Sequence, residues 1–98
     1  MPENRFPEDL IALAQLRIRT FNQGVRNPSR ELGRELFRLN RLIDRHPHWW
    51  TIGWTRATRA ALHCAAVAAP GGEEEIQQRV VDGRIVIAEE SSGWDHLA

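Results

Sequence analysis

Apolar positions return every three to four residues through most of residues 10–69, the repeat of helices that each bury one face. Leu10, Ile11, Leu13, Ala14, Leu16, Ile18 and Phe21 form the first run. Pro7 suits a first helical position, Glu8 and Asp9 suit the positive end of the helix dipole, and Gly24 offers a C-terminal cap, so a helix is predicted over about 7–23. Its apolar residues cover more than half of the circumference, which makes it the central helix and obliges Arg17, inside that arc, to reach outward along its stem. Asn27-Pro28 opens a second helix, about 28–45, which Pro47 closes. Its apolar stripe is narrow: Leu32, Leu36, Leu39 and Ile43, with coiled-coil-like spacing. A third helix is predicted over about 48–69, ended by Pro70-Gly71-Gly72. Trp49, Trp50, Gly53, Trp54, Ala57, Ala60, Ala61, Cys64, Ala65 and Ala68 make its apolar face, bulky at the start and smooth beyond, fit for close packing on the first helix.

Beyond residue 72 the pattern changes from a helical repeat to β-branched residues around Asp82-Gly83, a favoured two-residue turn. The expected fold class is mainly α: a three-helix bundle (about 7–23, 28–45, 48–69) followed by a C-terminal β-hairpin (about 75–89). A short helix over Glu73–Val81 is the rival reading, but it leaves a lone strand. With 98 residues the chain suits one domain, 1–98, divided into a helical body, 1–69, and a C-terminal hairpin and tail, 70–98.

Charge sharpens that division. The formal net charge is zero, yet residues 1–69 carry eleven arginines against six acids, while residues 70–98 carry two arginines against seven acids. A basic body therefore precedes an acidic tail. All thirteen basic side chains are arginine, the planar forked donor that suits phosphates and carboxylates, although a GC-rich coding sequence produces the same bias.

The clearest candidate for function lies on the second helix. Arg30, Arg34, Arg38, Arg41 and Arg45 are spaced 4, 4, 3 and 4 apart. At about 100° per residue they fall within an arc of roughly 80°, opposite the leucines. Burying the leucines thus aligns five guanidinium groups in solvent. A solvated face of partial ion pairs with Glu31, Glu35 and Asp44 is the plain reading; a ridge that docks on phosphates or carboxylates is the functional one. Arg26, Arg56 and Arg59 are candidates to widen it. Glu73, Glu74 and Glu75 are candidates to fold back onto the ridge as an internal partner.

Trp49, Trp50 and Trp54 are expected mainly as core, with an interface hot spot as the alternative, because tryptophan and arginine together typify interface anchors. His46, His48, His63 and Cys64 have the right chemistry for zinc but the wrong spacing, since two lie about four helical turns from the others, so no metal is expected. Cys64 on an alanine face reads as a small buried hydrophobe. No phosphate-binding glycine loop, nucleophile elbow or metalloprotease motif is present, and no cofactor or catalytic residue is expected.

No apolar run is long enough to span a bilayer, and Met1–Arg5 lacks the apolar core of a secretion signal. With a single cysteine, these features point to the cytoplasm. The expectation is a small non-catalytic protein-interaction module — an adaptor, an inhibitor or a small subunit of a larger complex — docking through Arg30, Arg34, Arg38, Arg41 and Arg45 and through the tryptophans. Its partner is another protein or a multi-subunit complex, with self-association allowed by the leucine seam and no membrane role. The alternative is a nucleic-acid-associated protein that sets the same arginines against phosphates; zero net charge weighs against strong binding by the isolated chain.

Overall fold

A carboxylate-rich first turn starts the chain's longest helix, α1 (Glu8–Arg26), with Glu8 and Asp9 at its positive end. The structure, a computed structural model, describes residues 6–81 and 84–88. The helix runs through Gly24 and stops at Asn27, so the expected glycine cap is an ordinary interior position. The second helix, α2 (Arg30–Asp44), begins one residue after Pro28-Ser29; Ser29, rather than Asn27, caps it by accepting from the Leu32 amide at 3.0 Å. The fold is mainly helical, as the periodicity implies.

The expected third helix is two helices. A short turn, α3 (Trp49–Ile52), ends at Gly53, whose φ of 85° lies in the left-handed region that side chains with a Cβ avoid. The chain then restarts as α4 (Arg56–Ala68). Thr55 and Thr58 form a reciprocal capping box: the Thr55 hydroxyl accepts from the Thr58 amide at 3.1 Å, and the Thr58 hydroxyl accepts from the Thr55 amide at 2.8 Å. A new start means a new phase. The face extrapolated from Trp49 is not the buried one: Ala57, Ala60, Cys64 and Ala68 are exposed, and Leu62 and Ala66 are buried instead.

α1 lies against both α2 and α4. Leu10, Ala14 and Ile18 of α1 meet Ile43 of α2, Trp49 of α3 and Leu62 and Ala66 of α4 in one core, edged by Phe6, Ile11, Leu13 and Val67. Trp49 fixes the corner between α2 and α3. It is 4% exposed, and its indole N–H donates to the Ile43 carbonyl at 2.5 Å, which also accepts from the His46 amide at 3.1 Å. Phe6 and His48 pack their rings against it at 6.2 and 5.5 Å.

The same corner is tied to the start of α1 through His46. The His48 amide donates to Nδ1 of His46 at 3.1 Å, so that nitrogen carries no proton in the neutral ring; Nε2 carries it and donates to Asp9 at 2.9 Å. The His46 contact holds the Asp9 carboxyl below its ordinary value.

Past α4 the chain folds back along α1 as a strap. Gln15 donates to the Ala66 and Pro70 carbonyls at 3.0 and 3.2 Å, and Arg19 to the Gly71 carbonyl at 3.3 Å. Gly72 passes so close to the end of α4 that a Cβ there would sit 2.3 Å from the carbonyl oxygens of Ala66 and Val67. Buried Asn22 then holds the strap by both ends of its amide: it donates to the Glu74 carbonyl at 2.9 Å and accepts from the Ile76 amide at 2.7 Å. Among the described residues up to Ile76 there is no strand. The Asp82-Gly83 turn, the tail 89–98 and the N-terminal residues 1–5 lie outside the described residues.

Two outcomes follow from this packing. Trp49→Ala costs about 3–5 kcal/mol of unfolding free energy in a denaturant titration, because it empties the core and removes the indole hydrogen bond, whereas Trp50→Ala, on an exposed indole, stays within about 0.5 kcal/mol of wild type. The Asp9 carboxyl is lowered in the folded state, so its contribution is present above its ordinary value of 3.8 and is lost as pH falls through the folded value. Thermal midpoints of Asp9→Asn and wild type therefore differ at pH 5 and converge well below pH 3.8; a constant gap across that range contradicts the assignment.

Candidate interaction surface

The outward face of α2 follows from its inward one. Leu39 and Ile43 are fully buried, which fixes the rotation of the helix. Arg30, Arg34, Arg38 and Arg41 are then exposed along α2, and Arg45, also exposed, stands at its C-cap. From Arg30 to Arg45 the ridge runs about 22 Å at 1.5 Å per residue.

Its members differ in how they are held. Arg38 grips Glu35 through two hydrogen bonds, at 3.1 and 2.5 Å; this contact lowers the Glu35 carboxyl and raises the Arg38 guanidinium from their ordinary values. Arg41 stands 5.5 Å from the ring centre of Phe37. Arg30, Arg34 and Arg45 have no partner among the described residues. Three of the five guanidinium groups are thus unengaged within the described part of the chain.

Phe37 is the residue that the sequence pattern passed over. It is 62% exposed, a large apolar side chain in the middle of a helix and at the edge of the arginine arc. Its signal was present: on the helical wheel Phe37 falls about 20° from Arg30, on the arginine side rather than the leucine side.

The tryptophans do not act as one set. Trp49 is core; Trp50 is 83% exposed; Trp54, placed in the break before α4, is half-exposed. Trp54 is brought to the end of α2, where its indole N–H donates to Asp44 at 3.3 Å. Asp44 also accepts from Arg59 of α4. The ridge and Trp54 therefore border one another through Asp44, while Trp49 takes no part in the surface.

The acidic strap goes elsewhere. Glu75 is held by Arg17 at 2.8 Å, with His63 at 3.4 Å from its other oxygen, and none of the five ridge arginines bonds Glu73, Glu74 or Glu75 among the described contacts. Arg17 also donates to Asn40 at 2.8 Å, and Asn40 accepts from Arg59 at 2.9 Å. Among the described residues, Glu75 thus serves Arg17 and His63, and Glu73, Glu74 and Glu75 do not cover the ridge. Arg59 is likewise spent internally, on Asp44 and Asn40, and does not widen the ridge.

His46 and His48 sit at the α2–α3 corner, and His63 and Cys64 on α4; no group of three or more His, Cys, Asp or Glu is placed to hold a metal ion among the described residues. Nor is any helix among them long and apolar enough to cross a membrane.

Together these features define a small helical domain with one cationic, aromatic-edged helix face. No protein-family profile, curated protein or solved structure matches the chain.

Asp44→Ala removes the acceptor that places Trp54. The Trp54 indole N–H resonance then moves toward its solvent-exposed position in a nitrogen–proton correlation spectrum, with helical content unchanged by circular dichroism; an unmoved resonance contradicts the tether.

Proposed function

We propose that the protein is a non-catalytic interaction module, an adaptor, inhibitor or small subunit of a larger complex, that docks on another protein through the outward face of α2. The observation that carries this reading is the exposure of all five ridge arginines beside exposed Phe37, with Arg30, Arg34 and Arg45 lacking partners among the described residues. Arginine beside an aromatic side chain is the combination that anchors protein interfaces. Trp54 and Trp50 extend the surface at the C-terminal end of the helix. A cytoplasmic setting, docking on a single protein or a multi-subunit complex, and self-association through the remaining leucine edge belong to the same proposal. So does the hairpin over about 75–89, which rests on the β-branched residues around Asp82-Gly83 in the sequence.

The second reading is a nucleic-acid-associated protein, favoured by exposed aromatic rings among cations, on which bases can stack. Zero net charge argues against it for the chain alone, because affinity for nucleic acid comes largely from neutralised phosphates.

One paired experiment decides. Affinity capture from a lysate of the source cell is run with wild type and with the Arg34→Glu, Arg38→Glu double variant, alongside titration of labelled single- and double-stranded DNA and RNA at low and moderate salt. The interaction module retains a defined protein that the double variant loses, and binds no nucleic acid at low salt. Nucleic-acid binding that falls steeply with salt and vanishes in the double variant transfers the proposal to the second reading.

A further inference from the structure

A glycine inside a helix is destabilising relative to alanine by backbone entropy, and Gly33 lies in the first half of α2. Internal packing does not require it. A Cβ built at Gly33 meets nothing within 4 Å, and its φ is not in the left-handed region. In this it differs from Gly72, where α4 leaves no room. The bare position at Gly33 therefore faces open space.

Its neighbours give that space a character. Going around α2 at about 100° per residue, the order is Leu36, Asn40, Gly33, Asp44, Phe37, Arg30, Arg41 and Arg34, with Asn40 and Asp44 in the C-terminal half of the helix, both accepting from Arg59. Leu36 and Gly33 also line a shallow groove of about 210 Å³ between the C-terminal half of α1 and the start of α2, with Phe21, Val25 and Leu32 along it. An apolar groove, a bare backbone position, an exposed ring and exposed guanidinium groups thus lie on one side of α2. A residue with no side chain beside a projecting phenyl makes a notch, and small residues of this kind let a second helix approach closely.

We infer that this face of α2 is a helix-docking site, and that its occupant is an acidic amphipathic helix of another protein. The inference rests on the interaction-module reading and specifies its partner. Charge complementarity selects the acidic side chains: Arg30, Arg34 and Arg41 repeat at helical spacing, so carboxylates at the same repeat on a neighbouring helix meet them in register. Phe37 and the groove select an apolar stripe beside those carboxylates, since the groove is lined by Phe21, Val25, Leu32 and Leu36 and takes aliphatic side chains. Gly33 sets the distance of approach.

The test uses the full chain and a synthetic helical peptide of about 18 residues, long enough at 1.5 Å per residue to cover the ridge. Its glutamates are spaced 4, 4, 3 and 4 and its leucines lie along one flank. A second peptide has the same composition in shuffled order, and a single-stranded oligothymidylate of equal charge is the third probe. The patterned peptide binds at least about tenfold more tightly than the shuffled one. Gly33→Leu loses about tenfold in affinity for the patterned peptide while remaining folded. Gly33→Ala raises the thermal midpoint by about 4 °C, as a helix-interior glycine without a packing role requires. Phe37→Ala weakens the patterned peptide and not the shuffled one. Wild-type affinity in Gly33→Leu, equal binding of the two peptides, or tighter binding of the oligothymidylate overturns the inference. If Arg34→Glu with Arg38→Glu leaves binding of both peptides unchanged, the ridge itself fails as a docking surface; if it abolishes both while Gly33→Leu changes nothing, the ridge stands and the helix-docking site falls.

Discussion

A guanidinium group half-withdrawn from water must find acceptors, and in this protein that requirement joins three parts of the chain. Arg17 lies on the inward arc of α1, its side chain 21% exposed. It finds Asn40 on α2 and Glu75 on the strap, and Asn40 in turn serves Arg59 of α4. Two guanidinium groups thus share one amide oxygen, and the acids that balance them, Glu75 and Asp44, come from opposite ends of this relay. The core of leucine, isoleucine and alanine supplies the burial that drives folding. The relay sets the positions of α1, α2, α4 and the strap relative to one another, because its partners are directional where apolar contacts are not.

This arrangement bears on the surface. The acids and arginines nearest the core are used up internally, so what remains for a partner is what the relay does not consume. Glu75 is committed to Arg17 and His63, Arg59 to Asp44 and Asn40. The face of α2 keeps its arginines, with Glu35 engaging only Arg38. A molecule with no net charge thereby presents a locally cationic helix, and the neutrality of the whole says little about that one face.

The second helix was legible in the sequence because its signals agree. Pro28 and Pro47 bracket it, the leucines define one side, and the arginines occupy the other. The third helix was less legible for two physical reasons. Gly53 breaks the helix, which no apolar count reveals, and an alanine-rich segment carries little information about rotation, since each alanine fits either inside or outside. Leu62, the large aliphatic side chain with room to decide the phase, was outweighed by Ala57, Ala60 and Ala61. Cys64 is exposed for the same reason, because the phase that restarts at Arg56 turns it outward. The strap was illegible for a different reason. Its bonds join residues more than fifty positions apart, such as Asn22 and Ile76, and local pattern holds no trace of such pairs. Phe37 and Leu42 are readable as exceptions to the two-sided pattern: on the wheel both fall nearer the arginines than the leucines, and both are exposed.

The double hold of Asn22 on the strap has a kinetic meaning. α1 and α2 are neighbours in sequence and meet through short loop closure, whereas Asn22 waits for a segment 54 residues away. α4, through Gln15 and Ala66, and the strap, through Asn22 and Ile76, both close on α1 across more than fifty residues, a longer closure than that of α1 on α2. In the language of hydrogen exchange, the Ile76 amide reports the opening of a small unit rather than global unfolding, because its acceptor is a side chain and not a helix or a sheet. One asparagine thus marks the boundary between the helical body and its latch.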